Sequence, residues 1–592
     1  MFLKANRRSK DGKTHTYYTI NESTRVPGRV VQRTVLHLGE LNTTQVEGWQ
    51  KTIETIQEDG QRYQMRLFSD REGSAPRSAD VVEVIMSSLE LRRPRMFGAA
   101  WVGCKIWEEL GLGEFWRQRL ADVPGDVGWE KVVELLAVNR LCAPRSELSV
   151  HEKWYPQTAM DILLDCDARV AEKDRLYRCL DKVIEHKEEL EKHLAQRWKD
   201  LFGARFDVLL YDLTSTYFEG AMEGVPMAKR GYSRDGRPDC KQIVIALIVT
   251  QEGFPLTYEI FDGNRRDVTT LDEMLEAVER KYGKANRVWV FDRGIVSEEN
   301  LAILRQRGGN YLVGTIKQKL NAFGQQLLEG GWDEVKGKVQ VKLIPTEDGT
   351  ETYVLAKSLG RKEKEHAMRH RALRGLMRDL AVIQKSLHNQ TLVDPDLLME
   401  RLGRLKERWP GMHRFVSMRI SKSPKLDLRW ELKRDVLEKA QARDGAYLLR
   451  TNLVGKTPQE LWTQYIQLTE VEASFRALKS EIRIRPIWHW ISRRISAHVM
   501  IAFLGYALWV GLKHRLRAIA QSMTPWQLLD QFGRIQLIEV WFDTRDGRRI
   551  CLPRITQPEA VQRLLLAQLR WSLPQQPPPR IYNSSLKNVV ET

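Results

Sequence analysis

The chain has 592 residues, too many for one core and enough for roughly three to five domains. Its hydrophobic content of 42% excludes a disordered polymer and supports globular folding. The formal charge is +17, from 94 Lys and Arg against 77 Asp and Glu; a balance this basic points to a polyanionic partner, most often nucleic acid.

Residues 1–45 read as a small β unit. Segments 14–20 and 30–38 are rich in β-branched and aromatic residues, and a turn-prone stretch at 23–28 separates them. Lys4, Arg7, Arg8, Lys10 and Lys13 make its start a basic arm. Residues 46–78 are polar and read as a link. From 79 to 203 the periodicity is helical, over 81–89, 101–110, 129–141 and 174–202, and a DNA-binding role is expected for this part.

At residue 206 the pattern changes. Segment 206–212 is a buried-type strand that ends in Asp212. Strands follow at 241–250 and 255–261, then a helix at 271–282. Segment 287–292 is a second buried strand that ends in a carboxylate, Asp292. A helix at 298–307 and a strand at 310–314 complete the set. Three strands, a helix, a strand, a helix and a strand, with acids ending the first and fourth strands, is the order of the ribonuclease H-like fold. The fold class expected is α/β: such a core, with a mixed five-stranded sheet, interrupted by an inserted subdomain and preceded by the β unit and the helical domain.

The insertion covers 321–454. It holds short alternating strands and a cationic helix over 361–385 that carries Arg361, Lys362, Lys364, Arg369, Arg371, Arg374 and Arg378. His366 and His370 stand four apart, a spacing suited to zinc, but no third ligand is near in sequence. The catalytic core is expected to span 204–320 and 455–515, leaving 516–592 as a C-terminal region: a helix, a hairpin around 546–548, another helix and a partly disordered tail with three prolines at 577–579.

Segment 465–479 reads as one helix with two stripes. Leu468, Val471, Phe475, Leu478 and Ile482 form an apolar face, while Tyr465, Glu472 and Lys479 recur every seven residues along one polar edge. Asp212, Asp292 and Glu472 are the catalytic candidates. Clustered carboxylates repel one another, and a divalent cation relieves that repulsion. Hard oxygen donors suit Mg²⁺, with Mn²⁺ as a substitute, and two ions about 3.5–4 Å apart are the arrangement that serves phosphodiester chemistry.

These residues carry a resemblance. The segments 211–219, 291–294 and the Tyr465, Leu468, Glu472, Lys479 spacing resemble the insertion-sequence DDE transposases. Segment 471–479, followed by 485–490 and 494–499, resembles more narrowly the insertion-sequence-1634 family of the insertion-sequence-4 superfamily; the opening β unit with Leu36-His37-Leu38-Gly39 fits it too. The resemblance implies cleavage at the ends of an insertion sequence and their joining to target DNA by transesterification, with Mg²⁺ held by Asp212, Asp292 and Glu472. It implies phosphate contacts by Tyr465 and Lys479, in a homodimer that pairs the element's terminal repeats. The superfamily's arginine position is occupied by Leu468, and Arg476, one turn past Glu472, is the candidate substitute. Arg293 joins the DNA-binding candidates, and Trp488 and Trp490 are candidates to stack on an unpaired base.

Two alternatives share much of this pattern: a ribonuclease H-like nuclease that cuts without joining, and a DNA-binding relative without catalysis. The six cysteines include no CxxC pair, so neither a zinc ribbon nor a disulfide framework is expected. The N-terminus lacks a signal-peptide core, and the longest apolar run, 499–512, is short for a bilayer span. The expectation is a prokaryotic cytoplasmic, nucleoid-associated protein with no membrane partner.

Overall fold

A computed structural model gives the fold and describes residues 1–10, 13–26, 29–62, 83–121, 126–284, 286–315, 317–335, 338–391, 393–421, 425–520 and 522–582.

Strands β1 (Phe2–Lys10), β2 (Lys13–Val26) and β3 (Arg29–Glu40) form an antiparallel meander. The basic start read as an arm is therefore a strand. The link is in part a helix, Thr43–Arg62, and the rest of it, from 63 to 78, lies outside the described residues. That helix docks on the far end of the chain: the Trp49 indole N–H donates to the Ile519 carbonyl at 2.9 Å.

The helix expected over 81–89 is absent from the described part of that segment, which holds one short 3-10 turn, Met86–Ser88, and leads into β4 (Glu90–Met96). The helical body follows, with Gly98–Glu109, Trp129–Cys142, Lys173–Val183 and Lys187–Phe202. The single long helix expected over 174–202 is two, joined by a 3-10 turn at Ile184–His186. All pack around the Ser492–Ile519 helix, whose middle, Val499–Leu508, is buried throughout. This helix is long and apolar enough to cross a bilayer, and most of it is buried inside the protein.

The central sheet begins with β5 (Val208–Tyr217), β6 (Gln242–Thr250) and β7 (Pro255–Asp262), continues through β8 (Val288–Phe291) and β9 (Asn310–Gly314), and runs in the order β7-β6-β5-β8-β9. β5 pairs antiparallel with β6 and parallel with β8, and β8 runs parallel to β9. Numbered from β5, the strand order is 3-2-1-4-5, the ribonuclease H-like topology. Helices Leu271–Tyr282 and Glu298–Gln306 cover one face; Leu468–Arg476 covers the other.

The insertion departs from the expected separate subdomain. Its strands β10 (Asp333–Val335), β11 (Val339–Pro345) and β12 (Thr352–Ser358) extend the same sheet in that order from its edge. Only 359–443 stands apart, with helices Leu359–His388 and Pro395–Arg408, the hairpin β13 (Val416–Ser421) and β14 (Asp427–Leu432), and a core of its own built on Leu376, Leu380, Leu402 and Phe415. Strand β15 (Ala446–Thr451) then returns to β9.

The C-terminal strands β16 (Gln536–Asp543), β17 (Arg549–Ile555) and β18 (Arg580–Tyr582) form a four-stranded sheet with β4, in the order β18-β17-β16-β4. The tail expected to be partly disordered is held as far as Tyr582: the Ile555 N–H donates to the Gln576 side chain at 2.8 Å. Residues 583–592 lie outside the described residues.

Candidate active site

Two parallel strands deliver the two aspartates. β5 and β8 are in register from Val208↔Val288 to Tyr211↔Phe291, so the next step on each is Asp212 and Asp292. Neighbouring strands lie about 4.8 Å apart. Alternation fixes the face: Tyr211 and Phe291 pack into one core and Leu210 and Val290 into the other, so Asp212 and Asp292 point to the side of Leu210 and Val290. The Leu468–Arg476 helix packs on that side through Leu468, Val471 and Phe475, with Glu472 exposed at its rim.

The electrostatics tie the three acids together. Burial, and after it the charges of Asp292 and Glu472, push the Asp212 carboxyl up to about 7. The Leu213 backbone N–H, donating to Asp212 Oδ1 at 2.8 Å, and the Arg234 guanidinium pull the other way. Among the described residues, none of the three acids forms an ion pair. A half-buried carboxyl beside two more acids, with no cation bonded to it, is a donor set that fits a divalent ion. The ligand atoms of the three acids do not all lie within 4.8 Å of one another.

Gly314, on β9, makes room at this point. A Cβ there would lie 2.8 Å from the Tyr465 hydroxyl and 3.2 Å from Asp292 Oδ1, so the phenol and the carboxylate meet over a position that only glycine leaves open. Burial, then the charge of Asp292, push the Tyr465 hydroxyl well above its ordinary value, which keeps it a neutral donor.

The polar edge expected along one helix is bent. Tyr465 belongs to a separate helix, Pro458–Ile466, that opens with a capping box of Thr457 and Glu460. The chain then widens into a π-helical turn at Ala477–Glu481. That turn carries Lys479 to a partner that sequence reasoning missed. Lys479 Nζ lies 2.7 Å from Asp235 Oδ1, and Arg485 binds the same oxygen. The Asp235 side chain is 1% exposed, and its Oδ2 has no hydrogen-bond partner among the described residues. Arg234, beside it, holds both Asp267 oxygens at 2.6 Å and donates its backbone N–H to Ser215 Oγ. The β5–β6 connection therefore brings an acid and a cation to the site, where the only sequence signal was an isolated Arg-Asp-Gly turn.

Arg476 and Arg293 are exposed and form no ion pair among the described residues. Trp488 and Trp490 are each 58% exposed. Their loop is fixed to the end of β5, because Ile487 exchanges backbone hydrogen bonds with Tyr217 and Glu219, and Trp490 lies over Gly220.

One other cluster has ligand-like geometry. Glu147, His489 and His498 bring their donor atoms within 4.8 Å of one another. Both His498 nitrogens are already used: Nε2–H donates to the Ile484 carbonyl at 2.9 Å and Nδ1 accepts from Arg140 at 3.2 Å. Burial and the Arg140 charge hold His498 near 3, as a neutral ring, and a guanidinium beside it opposes a cation. We read the cluster as a hydrogen-bonded pin that fastens segment 484–490 to the helical body. His366 and His370 stack at 6.0 Å and His370 Nδ1 accepts from Arg374, leaving no metal cluster there among the described residues.

A ribonuclease H-like sheet with two carboxylates ending its adjacent central strands, and a third acid on the helix that packs over them, defines a DDE-type phosphodiester-transfer domain. Residues 205–508 match the family model described as Transposase DDE domain, and residues 3–69 match that described as IS1634 family transposase, N-terminal domain. The chain belongs to the DDE transposases of the IS1634 family. A search of curated proteins found no match. Among solved structures, it is similar to the piggyBac transposase synaptic complex with hairpin DNA, at 9% identity over 74% of this chain and 75% of that one, with a TM-score of 0.35. DDE transposase domains are dependent on divalent metal ions, and the protein binds DNA.

Proposed function

We propose that Asp212, Asp292 and Glu472 are the catalytic acids with which this transposase cuts the ends of an insertion sequence and joins them to target DNA. The observation that carries the reading is the register of β5 on β8, which sets Asp212 and Asp292 at adjacent strand ends on the face that the Glu472 helix covers. Two Mg²⁺ ions, replaceable by Mn²⁺, would be held by these three side chains and would activate a water or a 3′-hydroxyl and neutralise the leaving oxygen.

The chain's own groups supply the rest. The Tyr465 hydroxyl, neutral beside Asp292, donates a hydrogen bond to a phosphate oxygen. Arg293, next to Asp292 in sequence, and Arg476, one turn past Glu472, provide exposed cations. Lys479 engages DNA by exchanging its Asp235 partner for a phosphate. Trp488 and Trp490 offer stacking faces for an unpaired base, on a loop anchored to the strand that bears Asp212. The β unit (1–45) and the helical body (79–203) grip the element's terminal repeats, and a homodimer pairs the two ends. The protein works in the prokaryotic cytoplasm, at the nucleoid.

The test is cleavage of element-end DNA in Mg²⁺ by the wild-type and Glu472→Gln proteins. Product from the wild type alone is expected; equal product from both overturns the assignment. Joined products in a strand-transfer assay with labelled ends are expected as well, and cleavage without joining would favour the nuclease reading.

A further inference from the structure

The segment 359–443 carries 21 Lys and Arg against 11 Asp and Glu, a net of +10. The other 507 residues carry the remaining +7 of the chain's +17. Half of the excess lies on the Leu359–His388 helix, which has 8 Lys and Arg against 3 Asp and Glu. Lys364, Arg371, Arg378 and Lys385 follow one another at intervals of seven and all four are exposed. Heptad spacing drifts by only about 20° per step, so they form one row, with successive members about 10 Å apart and the whole about 30 Å long. Leu373, Leu376, Leu380, Ile383 and Leu387 face the other way, into the segment's own core. The row therefore points straight at solvent. Among the described residues its one ion pair is that of Arg378 with Asp379, at 3.6 Å.

The helix that carries the row is tied at its first turn to the acids through a chain of aromatic contacts. The Arg361 guanidinium sits over the Tyr447 ring at 4.1 Å; Tyr447 packs against Trp462, and Trp462 against Tyr465, whose hydroxyl meets Asp292 at Gly314. Lys364, the first member of the row, follows Arg361 by three residues.

We propose that this row is a rail for the phosphate backbone of the DNA duplex whose cut end lies at the acids. Its length, about 30 Å, is close to one turn of B-DNA at about 34 Å, so in any rotational setting both strands pass beneath it. The rail touches phosphates and carries no base readout. Arginine guanidinium and lysine ammonium groups replace condensed counterions, and the signature is the salt dependence of binding. The inference rests on the DNA-binding reading of the site, but it is tested without catalysis.

Binding of a 30-base-pair duplex of arbitrary sequence is measured in EDTA over a range of salt. Replacing all four residues by Gln should flatten the slope of log K against log salt by about two to four, at about 0.9 for each phosphate that is no longer neutralised. The charge-conserving variant Lys364→Arg, Arg371→Lys, Arg378→Lys, Lys385→Arg should keep the wild-type slope. On a 10-base-pair duplex, too short to run from the acids along the row, the Gln variant and the wild type should differ less. An unchanged slope in the Gln variant overturns the proposal, as does an equally flattened slope in the charge-conserving variant. The Mg²⁺ cleavage comparison with Glu472→Gln reads the acids independently.

Discussion

Lys479 and Asp235 form a buried ion pair at 2.7 Å, 244 residues apart in sequence, one on the π-helical turn that follows the Glu472 helix and the other on the connection that follows the Asp212 strand. Asp235 also holds Arg485, so two cations depend on one carboxylate with almost no exposure. Asp235→Asn leaves both without a counter-charge and should cost about 3 kcal/mol. Lys479→Met leaves the Asp235–Arg485 pair intact and should cost about 1 kcal/mol. Denaturant unfolding of the two variants compares them directly, and equal losses would contradict this account.

The Asp212 carboxyl gives a pH dependence with a definite sign. Its folded value, about 7, stands above the ordinary 3.8. A group raised in this way lends stability that is whole below its unfolded value and is lost as pH rises through its folded one. The metal-free protein should therefore lose up to about 4 kcal/mol between pH 4 and 7 from this group, and Asp212→Asn should not. An ion must displace the proton, so Mn²⁺ affinity should climb with pH to about 7 and then level off. Calorimetric titrations across that range decide it; a flat affinity would be inconsistent with a protonated Asp212.

Arg234 is the cation that holds the Asp212 carboxyl down while bonding both Asp267 oxygens. Arg234→Gln removes that charge and should move the rise of the cleavage rate with pH toward the alkaline side by about half to one unit. The pH–rate profile separates this from misfolding, which would lower the rate equally at every pH.

Trp488 and Trp490 are half exposed, so replacing either by Ala should change stability by less than about 1 kcal/mol. Loss of a stacked base costs about 1–3 kcal/mol, a fall of roughly 5- to 150-fold in binding of end DNA. A fluorescent base analogue at the element end should show altered emission in the variants, and identical emission would assign these rings another role.

The placement of Asp212, Asp292 and Glu472 was legible because the physics behind it is local. Each aspartate closes a short apolar run, and Glu472 follows Val471 at the edge of an apolar stripe. The parallel pairing of β5 with β8 then needs only the strand order. What escaped was non-local or irregular. The sheet extension through β12 and β15 joins segments that flank about 90 residues of other structure, and no periodicity announces a partner at that distance. The polar edge assumed uniform helical geometry, and the π-turn at Ala477–Glu481 broke it. Asp235 lies on an irregular connection, where its burial follows only from what folds over it. The segment before Glu90 had helical spacing, but its hydrogen bonds go to β16 and its neighbours.

The pairing of β4 with β16 carries a consequence for how the protein is made. Met96 lies opposite Gln536 and Leu91 opposite Val540, so β4 has no strand beside it until the ribosome has passed those positions. Until then this strand lacks the β16 partner of the folded protein, and its edge is open to pairing with a neighbouring nascent chain. Closure of the last sheet is thus a completion step: a polypeptide released early, even with all three acids in place, leaves the ribosome with an open edge.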